Sequence, residues 1–231
     1  MIPWQHLDST TVPGDGGTMT LHRRGDEFSI RVGAAELMNS RAHGSEEVLA
    51  QQACQRLAGR PAPRMLIGGL GLGFTLRAAL DALPAGAAVV VAELVPAVVR
   101  WNREILGQLA AEPLADPRVQ VVEGDVGQAI RAAKGGFDAI LLDVDNGPEG
   151  LTAQANDRLY SAAGLKAAWA ALRPGGVLAV WSAEPCPPFT ARLQRAGFRV
   201  DEVRARARGR GKGGRHTLWF GVKKAAAKAR D

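Results

Sequence analysis

The sequence predicts an α/β fold: a doubly wound, mostly parallel seven-stranded sheet that ends in an antiparallel hairpin, with a small N-terminal β unit. Three observations support this prediction. Over residues 65–196, short apolar runs alternate with segments of helical periodicity, which is typical of parallel strands covered by helices on both faces. Residues 198–206 and 216–223 then read as consecutive strands without room for a crossover helix, so they should pair as a hairpin. Residues 18–22 and 27–32 are β-like runs that suit another hairpin.

The individual elements follow in chain order. Ser45 precedes two glutamates and an apolar pattern of helical spacing, so a helix capped near Ser45 should run to about Gly59, where two prolines begin a linker. The alternating region predicts strands at 65–69, 88–93, 118–122, 137–143 and 177–182. It predicts helices at 74–83, 96–108, 126–134, 155–172 and 187–196. A turn at Arg173–Gly176 should precede the last of these strands.

Composition argues against several classes of protein. No apolar stretch reaches membrane-spanning length, and residues 1–6 have neither a basic start nor an apolar signal core, so we expect a soluble, cytoplasmic protein without membrane contact. Cys54 and Cys186 form no Cys-x-x-Cys pair. The four histidines are scattered without ligand spacing, so we predict neither a disulfide framework nor a metal site.

The charge is distributed unevenly along the chain. Residues 192–231 hold 13 of the 29 Lys and Arg residues but only 3 of the 23 Asp and Glu residues. Residues 1–191 therefore hold 16 basic and 20 acidic residues. The segment 204–215 alternates basic residues with Ala and Gly but contains no aromatic residue that could stack a base. A solvated hairpin loop is the preferred interpretation of this segment, and binding of nucleic-acid phosphates is the alternative.

A glycine-rich turn is the most informative functional signal. Gly69, Gly71 and Gly73 follow an apolar strand and precede a predicted helix, and Glu93 closes the next apolar run 20 residues after Gly73. Glycines let the backbone turn tightly and approach a ligand, while a carboxylate at the second strand end can accept both hydroxyl hydrogens of a ribose. The Gly-x-Gly-x-Gly spacing departs from the dinucleotide pattern, and such turns also occur as plain connections. Strand, turn, helix and carboxylate together predict a site for an adenosine-containing cofactor.

Four stretches of the chain carry a family pattern: Ile67–Gly73, Ala92–Val99, Val122–Asp125 and Phe137–Asp143. Together they resemble the spermidine synthase family within the class I S-adenosylmethionine-dependent methyltransferase fold. The resemblance runs from about residue 18 to residue 223. It implies an S-adenosylmethionine-dependent enzyme, a small-molecule acceptor and a homodimer. We expect an N-terminal β-hairpin unit over 1–44, a Rossmann-like cofactor domain over 45–223 and a basic tail over 224–231.

The same resemblance implies roles for individual residues. The residues expected at the cofactor are Gly69, Gly71, Gly73, Glu93, Leu94, Asp125, Val126 and Asp143. Glu93 should bind the ribose hydroxyls and Asp125 the adenine amino group, while Asp143 lies beside the sulfonium and the acceptor. We interpret Asp143, Asp145 and Asn146 as the catalytic set that draws a cationic amine and accepts its proton. The plainer alternatives are that Asp125 caps the helix after it and that Asp143 starts a turn.

Three departures from the family pattern decide which reaction we predict. Leu70–Leu72 stands where spermidine synthases carry an aspartate for the amine of decarboxylated S-adenosylmethionine, Ser45–Glu47 replaces a Tyr-His-Glu run, and Asn146–Pro148 replaces an Asp-Pro. An enzyme that selects the decarboxylated cofactor must favour an amine or disfavour a carboxylate at that position. We therefore predict methyl transfer from S-adenosylmethionine to a small acceptor such as an amine. The alternatives are aminopropyl transfer, nucleic-acid methylation and a noncatalytic cofactor-binding role.

Overall fold

A computed structural model describes residues 2–14, 17–144, 147–148, 158–208 and 212–225. The N-terminal sheet consists of β1 (Gln5–Thr11), β2 (Thr18–Arg24), β3 (Glu27–Val32) and β4 (Ala35–Asn39). The large sheet consists of β5 (Arg64–Gly68), β6 (Ala88–Glu93), β7 (Val119–Glu123), β8 (Phe137–Leu142), β9 (Leu172–Ser182), β10 (Arg199–Arg208) and β11 (Lys212–Val222). The helices are α1 (Gly44–Gln55), α2 (Phe74–Ala82), α3 (Pro96–Trp101), α4 (Val126–Ala132), α5 (Ala162–Ala171) and α6 (Pro187–Arg195). No helix within these described ranges is long and apolar enough to cross a membrane.

The large sheet has the predicted architecture. Its seven strands lie in the order β10-β11-β9-β8-β5-β6-β7. Strands β5 to β9 run parallel, and the β10–β11 hairpin pairs antiparallel to β9. Every residue of β8 is buried, as expected for a parallel strand that is covered on both faces. The predicted α/β class, with a mostly parallel sheet that ends in an antiparallel hairpin, is confirmed.

Two hydrophobic clusters pack against opposite faces of this sheet. Ile67 and Leu141 belong to one cluster and their neighbours Leu66 and Ile140 to the other, because successive side chains of a strand point to opposite faces. The first cluster also contains fully buried Leu21 of β2. The small N-terminal sheet therefore shares a core with one face of the large sheet.

The small sheet has two more strands than the sequence predicts. The predicted hairpin corresponds to β2 and β3, and β1 and β4 pair along its two edges. Both edge strands lack buried residues, so their sequences carry no clear alternation of apolar and polar residues. Asp8 of β1 connects this sheet to α3, since its Oδ2 accepts hydrogen bonds from Trp101 Nε1 and Arg100 Nη2, both at 2.7 Å.

Two predicted helices differ in the structure. The helix predicted to be capped near Ser45 and to run to about Gly59 is α1, which has His43 at its N-cap, begins at Gly44 and ends earlier, at Gln55. The predicted helix at 96–108 is α-helical only as far as Trp101, after which a π-helical turn and a 3₁₀ turn follow. Asn102 marks this change, because its Nδ2 donates to the carbonyls of Val98 and Gly71 at 2.9 and 2.8 Å.

The other differences lie near the end of the chain. The predicted helix at 155–172 is represented by α5 with Ser161 as its N-cap, while residues 155–157 lie outside the described ranges. The predicted turn at Arg173–Gly176 is a bulge within β9, since Phe137 pairs with Leu172 and Ala139 already pairs with Val177. The basic segment is mostly strand and not loop, because β10 extends to Arg208 and β11 begins at Lys212.

Candidate active site

A cavity of about 260 Å³ lies where the small sheet meets the carboxyl ends of the parallel strands. Ligands bind at this edge in open α/β sheets. Its walls come from β4, α1, the glycine turn, α2, the end of β8 and the terminal hairpin. The lining residues that matter to its chemistry are Met38, Glu46, Gly71, Thr75, Asp143 and His216.

The glycine turn is shaped by close approaches that exclude side chains. All three predicted glycines have positive φ, with values of 87° at Gly69, 52° at Gly71 and 85° at Gly73. A Cβ atom on Gly69 would lie 2.3 Å from the carbonyl oxygen of Asp143, and one on Gly71 would lie 2.8 Å from Met38 Sδ. Backbone conformation therefore requires glycine at both positions, and at Gly69 the neighbouring backbone leaves no space for a side chain either.

Glu93 is buried at the end of β6 and holds the glycine turn in place. Its Oε2 accepts a hydrogen bond from the backbone N–H of Leu70 at 2.8 Å, and its Oε1 accepts one from Val95 at 2.9 Å. Burial raises the pKa of Glu93, and these backbone donors oppose that rise. The backbone N–H groups of Gly71 and Leu94 also act on this carboxylate and lower its pKa, so Glu93 is held by the backbone on both sides of it.

Asp125 and Val126 lie at the next strand end along the same edge. Asp125 is the N-cap of α4, because its Oδ1 accepts from the backbone N–H of Gly127 at 2.7 Å. Its carboxylate also pairs with Arg131 at 3.3 Å and stays partly exposed. The side chain of Val126 covers the end of β5, since a Cβ on Gly68 would lie 2.8 Å from Val126 Cγ2. Leu94, which follows Glu93, is 37% exposed and offers an apolar surface beside this edge.

Asp143 follows β8 directly and lines the cavity. Thr75 Oγ1 donates a hydrogen bond to Asp143 Oδ2 at 2.5 Å, so the start of α2 fixes the carboxylate. Asp143 is partly exposed, but only to the cavity, which protein surrounds. This burial raises the pKa of Asp143 to about 6. The hydrogen bond from Thr75 works in the opposite direction.

A second carboxylate, that of Glu46, enters the cavity from the first turn of α1. Ser45 Oγ hydrogen-bonds to Glu46 Oε2 at 2.7 Å and to His216 Nδ1 at 2.8 Å, and it accepts from Trp181 Nε1 at 3.0 Å. Burial, reinforced by repulsion from Asp143, raises the pKa of Glu46 to about 8. Burial lowers the pKa of His216, which favours its neutral form.

Comparison with known proteins assigns this chain to a family. The spermine/spermidine synthase domain matches residues 59–189, which is more than half of the 231 residues. The chain belongs to the spermine/spermidine synthase family. The suggested resemblance to spermidine synthases is thereby confirmed.

Curated relatives of this spermine/spermidine synthase family member match over part of their length. Putrescine N-methyltransferase 3 of Nicotiana tabacum is 37% identical over 119 residues, which are 51% of this chain and 29% of that protein. Polyamine aminopropyltransferase of Mycobacterium tuberculosis H37Rv is 35% identical over 106 residues, which are 45% of this chain and 20% of that protein. The match thus spans less than a third of either relative.

Solved structures of spermidine synthases share the fold. The spermidine synthase from Thermotoga maritima superimposes with a TM-score of 0.75 at 19% identity, over 96% of this chain and 74% of that chain. A spermidine synthase in complex with the transition state analogue AdoDATO gives a TM-score of 0.74 at 19% identity, over 96% of this chain and 73% of that chain. At this identity the likeness establishes the architecture.

The site of this family member contains residues that the sequence did not single out. Of the predicted residues, Asp143 and Gly71 line the cavity, while Asp145 and Asn146 lie outside the described residues. Thr75, Glu46 and His216 were missed. The departure at Ser45–Glu47 was a usable signal for Glu46, because it changes the acidic content of a helix start that faces the site. His216 depends on hairpin packing, which no local pattern reports.

Proposed function

We propose that this protein is a transferase that moves a methyl group from S-adenosylmethionine to a small amine by in-line displacement. One observation carries the proposal: Asp143 lies in a cavity beside the glycine turn, and Gly69 of that turn packs against the backbone carbonyl of Asp143. A buried carboxylate next to a cofactor turn suits a cationic acceptor. The partial matches to putrescine N-methyltransferases and polyamine aminopropyltransferases support an amine as the acceptor.

The residues along the strand ends fit S-adenosylmethionine. Gly69 and Gly71 let the backbone approach a ligand closely, and Glu93 lies beside this turn at the strand end where a carboxylate can meet ribose hydroxyls. Leu94 provides apolar surface for the base, and Asp125 a partly exposed carboxylate for its amino group. When bound, the cofactor supplies an electrophilic carbon on a sulfonium. Displacement requires that the two reactants are aligned and that water is excluded, and the cavity can meet both requirements.

Asp143 prepares the acceptor. An alkylamine enters as an ammonium ion, which cannot attack until it has lost a proton. Because burial raises its pKa, Asp143 is a stronger base than an exposed aspartate, and the Thr75 hydrogen bond holds its carboxylate in a fixed place. The carboxylate first attracts the ammonium and then accepts its proton.

Aminopropyl transfer from decarboxylated S-adenosylmethionine is the second candidate, and the charge of the cavity favours it. Among the described residues that line the cavity, Glu36, Glu46 and Asp143 are acidic and none is Lys or Arg. The glycine turn lacks a carboxylate, but α1 and β8 bring two close to it. Such surroundings favour the ammonium of the decarboxylated cofactor over the carboxylate of S-adenosylmethionine.

Calorimetric titration of the purified protein with each cofactor separates the two candidates. Tighter binding of S-adenosylmethionine supports methyl transfer. Tighter binding of the decarboxylated form contradicts methyl transfer and supports aminopropyl transfer. Binding of neither contradicts the assignment of Glu93 and Asp125 to an adenosine site.

We predict that Asp143→Asn lowers turnover by about 10²- to 10⁴-fold, since the amide cannot accept a proton. Affinity for S-adenosylmethionine should stay close to wild type. Turnover is followed by mass spectrometry of methylated or aminopropylated product, with putrescine and longer diamines as acceptors. Asp81→Asn is the matched control, because Asp81 is exposed and pairs only with Arg77 among the ion pairs of the described residues. Wild-type turnover in Asp143→Asn would exclude this role for Asp143.

A further inference from the structure

Glu46 is the least expected acidic group in the cavity. It projects from α1 into the same recess as Asp143, and repulsion between the two is strong enough to raise the pKa of Glu46 beyond the effect of burial alone. In the free protein the two carboxylates therefore hold one proton between them near neutral pH. Glu46, with its pKa near 8, is the member that carries it.

The surroundings of Glu46 form a polar network. Ser45 is fully buried, and its hydroxyl joins Glu46 to His216 on β11 while Trp181 on β9 donates to the same oxygen. A hydroxyl has one proton and two lone pairs, so after accepting from Trp181 it can donate to one neighbour and accept from the other. A proton on Glu46 is thus compatible with neutral His216, because Ser45 can then donate to Nδ1.

Within the part of the chain that the structure describes, the other carboxylates around Glu46 come from three elements. Asp143 faces it from the end of β8, Glu36 lines the same cavity from β4, and Glu47 follows it on α1. Glu184 acts electrostatically on His216 from beyond β9. Among the described residues, no Lys or Arg forms an ion pair with Glu46 or Asp143.

We propose that Glu46 and Asp143 together bind one alkylammonium group, which enters the cavity in exchange for the proton that the pair shares, with Ser45 and His216 holding Glu46 in position. The inference rests on the proposed function, because the ammonium belongs either to the acceptor amine or to the decarboxylated cofactor. The exchange balances charge: the pair with its proton and the pair with an ammonium each carry one negative charge. The ligand cation leaves the charge of the buried site unchanged, and a proton is released to solvent.

Proton release on binding is the direct test. Wild-type protein is titrated calorimetrically at pH 7 in phosphate and in Tris, whose ionisation heats differ, so the difference between buffers counts released protons. The probes are putrescine, alone and with S-adenosylhomocysteine, and separately decarboxylated S-adenosylmethionine. We expect about one proton released per ligand bound. The probe that shows it identifies the ammonium as that of the acceptor or of the cofactor.

Variants assign the proton to Glu46. Glu46→Gln should bind the same probe at least about tenfold more weakly and release no proton, because a buried ion pair is lost. Glu47→Gln is the matched control, since Glu47 is its neighbour on α1 but pairs with His43 and does not line the cavity. It should match wild type in affinity and in proton release.

A measurement on the unmodified protein protects the test against misfolding of the variant. Below the pKa of Glu46, affinity for the ammonium probe should rise with pH by up to about tenfold per unit, and it should level off above that pKa. Binding without proton release, affinity independent of pH, unchanged behaviour of Glu46→Gln, or no binding of any probe would each overturn the proposal. If proton release depends on Glu46 but no methylated or aminopropylated product forms, the ammonium site is confirmed and the proposed transferase function is contradicted.

Discussion

Glu46 affects the stability of the protein as well as its binding, because its carboxyl group titrates inside the fold. Its pKa is about 8 in the folded protein against an ordinary value of 4.5, so the folded state holds a proton that the unfolded state gives up between these values. The stability that this proton contributes is complete below about pH 4.5 and is lost as the pH rises through 8. Asp143 acts with the same sign up to a pH of about 6.

We therefore predict that Glu46→Gln flattens the pH dependence of stability. The melting temperature of the wild type should fall between pH 6 and pH 9 by several degrees more than that of the variant, and the variant should be the more stable protein at pH 9. Differential scanning calorimetry across this range measures the effect, with Glu47→Gln as the control. Parallel curves for the wild type and Glu46→Gln would show that Glu46 is not protonated in the fold.

The residues of the site differ in how far the sequence reveals them. Gly69, Glu93 and Asp143 stand at strand ends, and a parallel sheet brings all strand ends of one direction to one edge, so a local pattern is sufficient to find them. Thr75 and Glu46 stand at helix starts that contact this edge only after packing. Their roles depend on distances between elements, which no spacing in the sequence encodes.

Among the secondary-structure elements, β8 is anchored at the end opposite the cavity by a buried carboxylate. Asp138 accepts hydrogen bonds from Arg60 Nη1 in the linker, from Arg173 Nη1 in the β9 bulge at 2.8 Å, and from the backbone N–H of Arg64 at 2.7 Å. Its side chain is 2% exposed, whereas the two guanidinium groups remain partly in solvent. One side chain thus joins the linker, β5, β8 and the bulge.

We predict that Asp138→Ala lowers the free energy of unfolding by about 2 to 4 kcal/mol, because three donors lose a charged acceptor in a mostly buried place. The affinity for a cofactor should be unaffected in the folded fraction, since the cavity lies at the other edge. Urea denaturation measures the change. Asp81→Asn, at a position where the side chain is 65% exposed, should change stability by less than about 0.5 kcal/mol. Equal effects of the two substitutions would contradict this role of Asp138.

The elements that the sequence predicts well are those with strong apolar patterns. Strand β8 is buried throughout and apolar except for Asp138, and its prediction at 137–143 is within one residue of the structure. In contrast, β1 and β4 are edge strands without buried residues, and the end of α3 is decided by the Asn102 side chain. The strand predicted at 198–206 stops short of Arg208, although buried Ala205 and Ala207 between exposed arginines follow the period of a strand to the end of β10.

For the whole molecule, the shared hydrophobic cluster implies that the two sheets unfold together. Leu21 of the small sheet and Ile67 and Leu141 of the large sheet are all fully buried in this one cluster. The small sheet also supplies Met38 to the wall of the cavity, so its loss would open the site. A separately folding N-terminal unit would instead need a core of its own.

We predict that Leu21→Ala lowers the stability of the large sheet as well as the small one, by about 2 to 5 kcal/mol, in a single transition. Hydrogen exchange of the amides in β2, β5 and β8 measures this, because a shared unfolding event gives the same free energy of opening at all of them. Ile105→Ala, at a side chain that is 39% exposed, serves as the control with little expected change. If Leu21→Ala accelerated exchange in β2 but left β5 and β8 at their wild-type values, the two sheets would be independent units. The cavity between them would then open without unfolding of the sheet that carries Asp143.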